Sequence, residues 1–190
     1  AGPAGGGWYG YTYKTHLCGA QSYFQKIPAQ KRLTLNGPAH LDRPLRALRA
    51  DMLRWYDHWL RDIDTGVMNE PPVRYFVMGA NRWQSSDTWP PVGVVERRWY
   101  LHSGGHANSA SGDGLLSETQ PDAEPADAYT YDPMAPTPTT GGPTLMHSVY
   151  RAGPLDQAAI EKRDDMLVFT SAPLERPIEV TGPISATLHI

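Results

Sequence analysis

The chain has 190 residues, and its 18 glycines and 18 prolines exclude a helix bundle, because both residues destabilise a helix interior. With 40% apolar residues, 6 tryptophans and 10 tyrosines, the chain can bury a core, which excludes wholesale disorder. The net charge of −3 argues against nucleic-acid binding, which needs a basic excess. The single cysteine, Cys18, permits neither an intrachain disulfide nor a cysteine-based zinc site.

The first part of the chain mixes a glycine-rich start with helical periodicity. The spacing of apolar residues predicts a helix over 11–24, followed by a short β-prone run at 33–35. A longer helix is predicted over 44–63, because its apolar residues recur at steps of three and four. Gly66 is placed to end that helix.

The remainder of the chain has the pattern of β structure, because Pro71-Pro72 forces an extended backbone and long helical periodicity stops there. Residues 103–143 are dense in Gly, Ser, Pro, Thr and Asp and predict loops. Trp83 and Trp89 are expected in a polar loop. Strands are predicted at 73–78, 97–101, 129–131, 167–170, 179–180 and 185–190. The spacing of strands and turns fits a β-sandwich or jelly roll that starts near residue 71.

None of the seven histidines stands at a metal-binding spacing, so no metal or cofactor is expected. His58 is interpreted as a solvated helix residue and His189 as a structural residue in a strand. His102 and His106 flank two glycines in a polar loop, and a site there is left open as an alternative to a plain loop.

His40 differs because it lies on the turn between the strand at 33–35 and the helix at 44–63. In an open α/β sheet, the loop at the carboxyl end of a strand is where catalytic side chains are presented. A histidine there can act as a general base, since its pKa lies near neutrality. From spacing alone, a loop histidine that caps the next helix remains the alternative.

A resemblance favours the catalytic interpretation. Gly37-Pro38-Ala39-His40 is similar to the GPW-x-H segment that carries the catalytic histidine of the cocaine esterase and X-prolyl dipeptidyl peptidase family. Eight segments agree in order with the family from about residue 6 to the end. Gly6-Gly7-Trp8-Tyr9 resembles GGWYD, and Trp55-Tyr56-Asp57-His58-Trp59-Leu60 resembles FFD-x-x-L. Pro72-Val73-Arg74-Tyr75-Phe76-Val77-Met78-Gly79 resembles PVR-x-FVMG, and Glu179-Val180-Thr181-Gly182-Pro183 resembles the start of the family's late jelly-roll strands.

The resemblance implies a serine hydrolase with a Ser-Asp-His triad in an α/β-hydrolase domain, followed by a C-terminal jelly roll. Residues 1–70 would then be the C-terminal strand-turn-helix piece of the hydrolase domain, and 71–190 the first part of the jelly-roll β-sandwich, both incomplete. By the same resemblance His40 is the catalytic histidine. The triad aspartate should follow Trp8-Tyr9, but Gly10 stands there and leaves the acid position vacant.

The expected function is therefore a fragment of a serine hydrolase that cleaves esters, amides or X-Pro peptides, with the isolated chain inactive. No G-x-S-x-G segment occurs in the sequence, so the nucleophile would have to lie upstream. Leu145 and Met146 match a family loop that reaches toward the acyl pocket, with simple packing as the alternative. Cys18 has no base placed beside it and is not expected to be a nucleophile.

Two other functions stay open at this point. One is a non-enzymatic β-sandwich module that binds carbohydrate on exposed Trp83, Trp89 and Trp99. The other is a degenerate paralogue that kept the fold and lost catalysis, which the glycine at position 10 favours.

The expected partner is a small-molecule ester, amide or peptide substrate, with no nucleic acid and no membrane, because no run of 18 apolar residues exists. A homodimer of the full-length protein is left open. The lone cysteine is compatible with the cytoplasm, which is the expected location. Since the chain starts at Ala1 and not at a methionine, a preceding signal peptide and secretion stay open.

Overall fold

A computed structural model describes residues 2–8, 13–37, 49–143, 151 and 153–190 of the chain. The chain divides into two compact units. Unit 1 comprises Ala1–Val94, Gly141–Pro154 and Glu179–Ile190. Unit 2 comprises Val95–Thr140 and Leu155–Ile178.

Unit 1 contains a mixed four-stranded sheet with its strands in chain order. The strands are β1 (Gly2–Gly7), β2 (Lys31–Asn36), β3 (Val73–Val77) and β4 (Arg82–Ser86). β1, β2 and β3 run parallel, and β4 pairs with β3 in the antiparallel sense. The sheet thus continues across residues 70 and 71, where the sequence places a domain boundary, and that boundary stays a prediction.

Helix α1 (Tyr13–Lys26) connects β1 to β2 and packs on both strands, which forms a parallel βαβ unit. Its side chains Ala20 and Phe24 are buried against the sheet, and Leu17 is partly buried there. The predicted helix over 11–24 is confirmed within its described residues. It ends two residues later than predicted, at Lys26, before the chain enters the sheet.

The core of unit 1 lies on the face of the sheet that α1 covers. Register brings Leu33 opposite Val73 and Leu35 opposite Tyr75, and all four side chains are buried. Trp89 completes this cluster, with its ring centroid 5.7 Å from that of Tyr75. Alternate residues of β2 and β3 therefore supply a continuous apolar layer, as the period of a strand requires.

The other face of the sheet carries charge. Helix α2 (Arg49–Arg61) and a 3₁₀ helix (Val67–Asn69) follow β2, and Glu70 follows them. The Glu70 carboxylate accepts hydrogen bonds from Arg32 on β2 and from Arg54 on α2. Arg32 also donates to the Val67 carbonyl oxygen over 2.8 Å. The Glu70 carboxylate thereby connects the sheet to α2, and Arg32 connects the sheet to the 3₁₀ helix.

Two boundaries differ from the sequence prediction. Helix α2 ends at Arg61, before the predicted residue 63, because Asp62 adopts a φ of 53° that no helix continues. Gly66, predicted to end that helix, instead precedes the 3₁₀ helix with a φ of 69°. The predicted start of the helix at 44 lies outside the described residues.

Two strands of unit 1 were not predicted. β1 is rich in glycine, a poor strand former, and forms because parallel pairing with β2 satisfies its backbone groups. Trp83 lies in β4 and not in a loop, so that prediction is wrong. Its indole packs edge-on against Phe76, its partner in register, and beneath the Arg74 guanidinium at 4.3 Å.

Unit 2 contains an antiparallel pair of short strands, β5 (Tyr100–His102) and β6 (Leu115–Ser117). Further pairing is limited to isolated bridges of Asn108 with Leu167 and of Leu115 with Thr170. Gly114 allows this approach, because a Cβ there would lie 2.0 Å from the Val168 carbonyl oxygen.

Several predicted strands are absent from the described residues. The strand at 97–101 appears only as β5, and 167–170 forms bridges but no ladder. Residues 129–131, 179–180 and 185–190 have irregular backbone, so these predictions are wrong for this chain. A period-two pattern gives a strand only where a neighbouring strand accepts its hydrogen bonds, and these segments have none. The described chain thus has a mixed sheet, an antiparallel ladder and few helices.

Candidate functional site

The carboxyl ends of β1 and β2 lie side by side in unit 1. The two strands are parallel, and Gly7 pairs with Asn36 at their last positions. The chain therefore leaves both strands at one edge of the sheet. Position 10 follows β1 in the sequence and position 40 follows β2, so the topology brings the described residues that precede both positions to one edge.

Trp8 connects this edge across three strands. Its backbone N–H donates to the Asn36 carbonyl oxygen at 3.3 Å, which joins the ends of β1 and β2. Its indole Nε1–H donates to the carbonyl oxygen of Phe76, near the end of β3, over 2.9 Å. Trp8 thus fixes where the chain leaves β1. The sequence drew attention to Trp8 only as part of a motif and not as a connecting residue.

Asn36 and Gly37 shape the exit from β2. Asn36 is 3% exposed, and no hydrogen-bond partner for its Nδ2 lies in the described part of the chain. Gly37 passes close over Phe76, since a Cβ there would lie 2.8 Å from the Phe76 Cδ1 atom. The sequence predicts the turn Asn36-Gly37-Pro38, yet Asn36 is the last residue of the strand and fully interior. The turn pattern of the sequence therefore concealed a buried amide at the end of β2.

The predicted site residues themselves, Gly10, His40, Leu145 and Met146, lie outside the described residues. The structure describes what flanks them. Gly142 and Gly153 exchange two backbone hydrogen bonds, of 2.8 and 3.0 Å, and so close the base of the segment that contains Leu145 and Met146. The assignment of His40, of the vacant position 10 and of the two apolar residues stays a prediction.

The tryptophans proposed as a carbohydrate platform do not all face solvent. Trp89 is 6% exposed and belongs to the core of unit 1, so its assignment as an exposed residue is wrong. Trp83 is covered on one side by Arg74 and Phe76. A sugar-binding platform needs an open ring face, so this arrangement does not favour a binding module.

The other single candidates have ordinary surroundings. Cys18 is exposed on α1. His58 is half-buried on α2, with its ring packed edge-on against Trp59 at 5.2 Å between centroids. His189 is exposed and not in a strand, which corrects its predicted position.

His102 and His106 do not form a site together. The His102 ring is bonded at Nδ1 to Glu124 and at Nε2 to the Thr119 carbonyl oxygen, each over 2.8 Å, while the His106 side chain is exposed. The hydrogen bond that the His102 ring donates to Glu124 raises the pKa of His102 above its ordinary value. His102 is therefore held by structural partners and not presented to a substrate.

A cleft of about 440 Å³ lies at the opposite edge of the sheet in unit 1. It is lined by Phe24, Gln25, Ala29, Gln30, Lys31, Pro72, Asp87, Thr88 and Trp89. These residues lie near the amino ends of β2 and β3, away from the carboxyl edge where α/β folds place chemistry. Among the described residues, no three His, Cys, Asp or Glu side chains are grouped to hold a metal ion. No described helix is long and apolar enough to span a membrane.

Comparison with known proteins supplies the family. Residues 65–190 match the X-Pro dipeptidyl-peptidase C-terminal non-catalytic domain, a domain of the β-sandwich type. The chain is 39% identical over 136 residues to cocaine esterase of Rhodococcus sp., and 38% identical over 153 residues to a protein of Mycobacterium bovis named as a candidate serine esterase. These matches cover 72% and 79% of the chain but only 24% and 22% of the relatives, so the chain spans about a quarter of their length.

A solved structure, the aminopeptidase from a marine sediment Thaumarchaeota archaeon, has a similar fold, with a TM-score of 0.58 and 22% sequence identity. The match covers 90% of this chain and 30% of the aminopeptidase chain. The ordered motifs of the sequence, the match over residues 65–190 and the two esterase relatives agree with one another. The chain belongs to the cocaine esterase and X-Pro dipeptidyl peptidase family, of which it contains the C-terminal portion.

Proposed function

We propose that this chain is the C-terminal part of a serine hydrolase that cleaves esters, amides or X-Pro peptides. The observation that carries the proposal is the parallel pairing of β1 and β2, whose last residues are in register and connected through Trp8. In an α/β-hydrolase, the strands before the triad acid and the triad histidine end at one edge in this way. Residues 1–70 would be the last piece of that domain, and the matched non-catalytic domain would follow it.

In the proposed reaction His40 is the general base. A serine supplied by a segment that this sequence does not contain attacks the carbonyl carbon of the substrate, and the His40 imidazole takes the proton from the serine hydroxyl. The same imidazole, now protonated, gives the proton to the leaving group as the tetrahedral intermediate collapses. Water then repeats the sequence on the acyl-serine and releases the acid product.

Position 10 limits this chemistry. A triad carboxylate holds the histidine in the productive tautomer and stabilises the imidazolium, and its loss costs on the order of 10⁴ in rate. Glycine supplies no carboxylate. We therefore expect the parent protein to be a weak hydrolase. The second candidate, a paralogue that has lost catalysis, rests on this one residue, Gly10.

The substrate contacts are proposed for Leu145 and Met146. They lie in the sequence between Gly142 and Gly153, which exchange two backbone hydrogen bonds. The apolar side chains of Leu145 and Met146 suit an apolar acyl group. A homodimer of the full-length protein stays part of the proposal.

The test compares the 190-residue chain with the full-length parent. The isolated chain should not hydrolyse p-nitrophenyl acetate above free-imidazole rates, and a fluorophosphonate probe should not label it. The parent should be labelled at one serine, and His40→Ala should abolish turnover while the matched variant His189→Ala leaves it unchanged. Labelling of the isolated chain, or an active His40→Ala parent, would contradict the proposal.

A gain-of-function variant separates the two candidates. In the parent, Gly10→Asp should raise kcat for p-nitrophenyl acetate by up to about 10⁴-fold if the rest of the triad is intact. Gly10→Asn, which has the same size and no charge, is the control and should give no gain. A parent that neither labels nor responds to Gly10→Asp is the degenerate paralogue. Parallel assays with alanyl-prolyl p-nitroanilide distinguish peptide from ester cleavage.

A further inference from the structure

The segment 118–127 of unit 2 connects β6 to the following irregular chain and contains neither helix nor strand. Most of its residues are exposed. Its far end is fixed by Asp127, which accepts hydrogen bonds from the Ala107 N–H at 2.8 Å and the Ser103 hydroxyl at 2.7 Å. In its middle, Glu124 accepts from the Ser103 N–H at 3.2 Å, and the ring of His102, at the end of β5, contacts both Glu124 and Thr119.

The His102 ring makes two contacts with this segment. Nδ1 lies 2.8 Å from Glu124 Oε1, and Nε2 lies 2.8 Å from the Thr119 carbonyl oxygen. A carboxylate and a carbonyl only accept, so both ring nitrogens must donate. Only the imidazolium ion has two N–H groups, and the geometry therefore describes a protonated ring whose side chain is 15% exposed.

A neutral ring has a different partner available. With one proton on Nδ1, the Nε2 lone pair would face the Thr119 carbonyl oxygen, which is repulsive. The Ser117 hydroxyl on β6 lies 3.1 Å from the same Nε2 and can donate to it, while its oxygen continues to accept from the Thr119 N–H at 3.1 Å. Deprotonation thus exchanges a bond to the segment for a bond within the β5–β6 pair.

We propose that His102 is a pH switch that holds the middle of segment 118–127 against β5 when its ring is protonated and releases Thr119 when its ring is neutral. The two arrangements share the Glu124 contact and differ in the partner of Nε2. In the released state the segment stays attached at Glu124, at Asp127 and through the ion pair of Glu118 with Arg97, and the Thr119 carbonyl oxygen has no donor from β5.

The surrounding charges set the pH range. Glu124 is the acid bonded to the ring, and Asp127 lies beyond it on the same segment. Asp113 accepts from the Gly104 N–H at 2.9 Å, and Glu118 pairs with Arg97 at 2.8 Å, so both are engaged elsewhere.

The Glu124 hydrogen bond raises the pKa of His102 above its ordinary 6.5, and the His102 hydrogen bond lowers the pKa of Glu124 below its ordinary 4.5. The Thr119 contact is therefore fully present below about pH 6.5 and is lost as pH rises through the raised pKa of His102. On the acid side, the Glu124 contact persists down to its lowered pKa.

The test is NMR of the 190-residue chain between pH 6 and pH 9, following the Thr119 carbonyl carbon and the Gln120 amide. Both resonances should shift with the midpoint of the His102 ring titration, because the Thr119 carbonyl oxygen loses its ring donor. His102→Gln should remove this pH response, and the matched variant His189→Gln should retain it. An equal pH response in His102→Gln would overturn the proposal.

A second measurement covers the case in which His102→Gln does not fold. In the unaltered chain, the ¹⁵N resonances of the His102 ring should report an imidazolium at pH 6.5 and the Nδ1–H tautomer after titration. Glu124→Gln should shift the midpoint of that titration toward lower pH. A His102 ring that is already neutral at pH 6, or a midpoint that Glu124→Gln leaves in place, would also overturn the proposal.

Discussion

Unit 1 and unit 2 are each stabilised by a different kind of contact. Unit 1 is built on strand ladders whose paired apolar side chains, such as Leu33 with Val73, are buried beneath a helix. In unit 2 the backbone is mostly irregular, and polar side chains bond its N–H and C=O groups. Asp127 accepts from the Ala107 N–H, and Asn108 donates to the carbonyl oxygens of Ala128 and Asp164.

The difference follows from how each unit satisfies its backbone. A ladder pairs N–H and C=O groups with one another and leaves the side chains free to be apolar. Where no ladder forms, the interior backbone groups need side-chain partners, and the sequence must contain carboxylates and amides at fixed positions. Unit 1 should therefore respond most to changes in apolar volume, and unit 2 to the loss of close backbone approach and of single polar groups.

The largest effect is expected for Leu33→Ala in unit 1. Leu33 is 0% exposed, and removal of its side chain leaves a cavity between α1 and the sheet that should cost about 2–5 kcal/mol of unfolding free energy. Leu60→Ala, at a residue 75% exposed on α2, is the control and should change stability by less than about 0.5 kcal/mol. Denaturant unfolding followed by tryptophan fluorescence reports on unit 1, since only Trp99 of the six tryptophans lies in unit 2. Equal losses in the two variants would contradict an apolar origin of stability in unit 1.

The second effect is a pair of glycine substitutions with opposite signs. Gly114→Ala in unit 2 places a Cβ 2.0 Å from the Val168 carbonyl oxygen. The segments that contain residues 114 and 168 must then move apart, at a cost of about 1–3 kcal/mol of unfolding free energy. Gly19→Ala in α1 meets no atom within 4 Å and should stabilise that helix by about 0.5–1 kcal/mol. Hydrogen exchange of residues 107–117 measures the first change, and thermal unfolding by circular dichroism the second. A stabilising Gly114→Ala would show that the close approach in unit 2 is not needed.

The sequence predicted the elements whose signal is local. α1 and β2 carry their own apolar periodicity, and the structure has both within a few residues of the predicted positions. β1 has no such signal, because its glycines become a strand only beside β2. Residues 179–180 and 185–190 show the opposite case, a strand pattern without a partner. Non-local pairing is what periodicity alone cannot supply.

The same limit applies to the site. Motif order led to position 10 and His40, which follow β1 and β2 in the sequence, and the register of the two strands brings their carboxyl ends to one edge. The role of Trp8 could not be predicted, because its indole bonds to Phe76, 68 residues further along the chain. Buried Asn36 was hidden by a turn pattern of ordinary type.

A third, intermediate effect is expected for Asp127→Ala in unit 2. The variant removes the carboxylate that accepts from the Ala107 N–H, and Ala107 is 0% exposed. A buried donor without an acceptor costs about 1–2 kcal/mol of unfolding free energy. Asp122→Ala, on the same exposed stretch, is the matched control and should be neutral. The readout is exchange at the Ala107 amide, which should accelerate only in the first variant. A protected Ala107 amide in Asp127→Ala would show that unit 2 does not depend on this carboxylate.

The smallest effect tests whether a polar contact also matters in unit 1. Burial raises the pKa of Glu70, but the hydrogen bonds from Arg54 and Arg32 outweigh it and hold that pKa below its ordinary 4.5. The ionised carboxylate therefore stabilises the fold above about pH 4.5, and this contribution is lost as pH falls through the lowered pKa. Because the side chain is 39% exposed, solvent screens the pairs and Glu70→Gln should cost only about 1 kcal/mol at pH 7.

The pH dependence separates charge from shape in this variant. Glutamine keeps the size and one acceptor oxygen of Glu70, so the stability difference from the unaltered chain should shrink as pH falls through the lowered pKa of Glu70, where the native carboxyl takes up its proton. A Glu70→Gln difference that does not change over the pH range in which carboxyl groups titrate would mean that packing, and not the two guanidinium groups, accounts for the role of this residue.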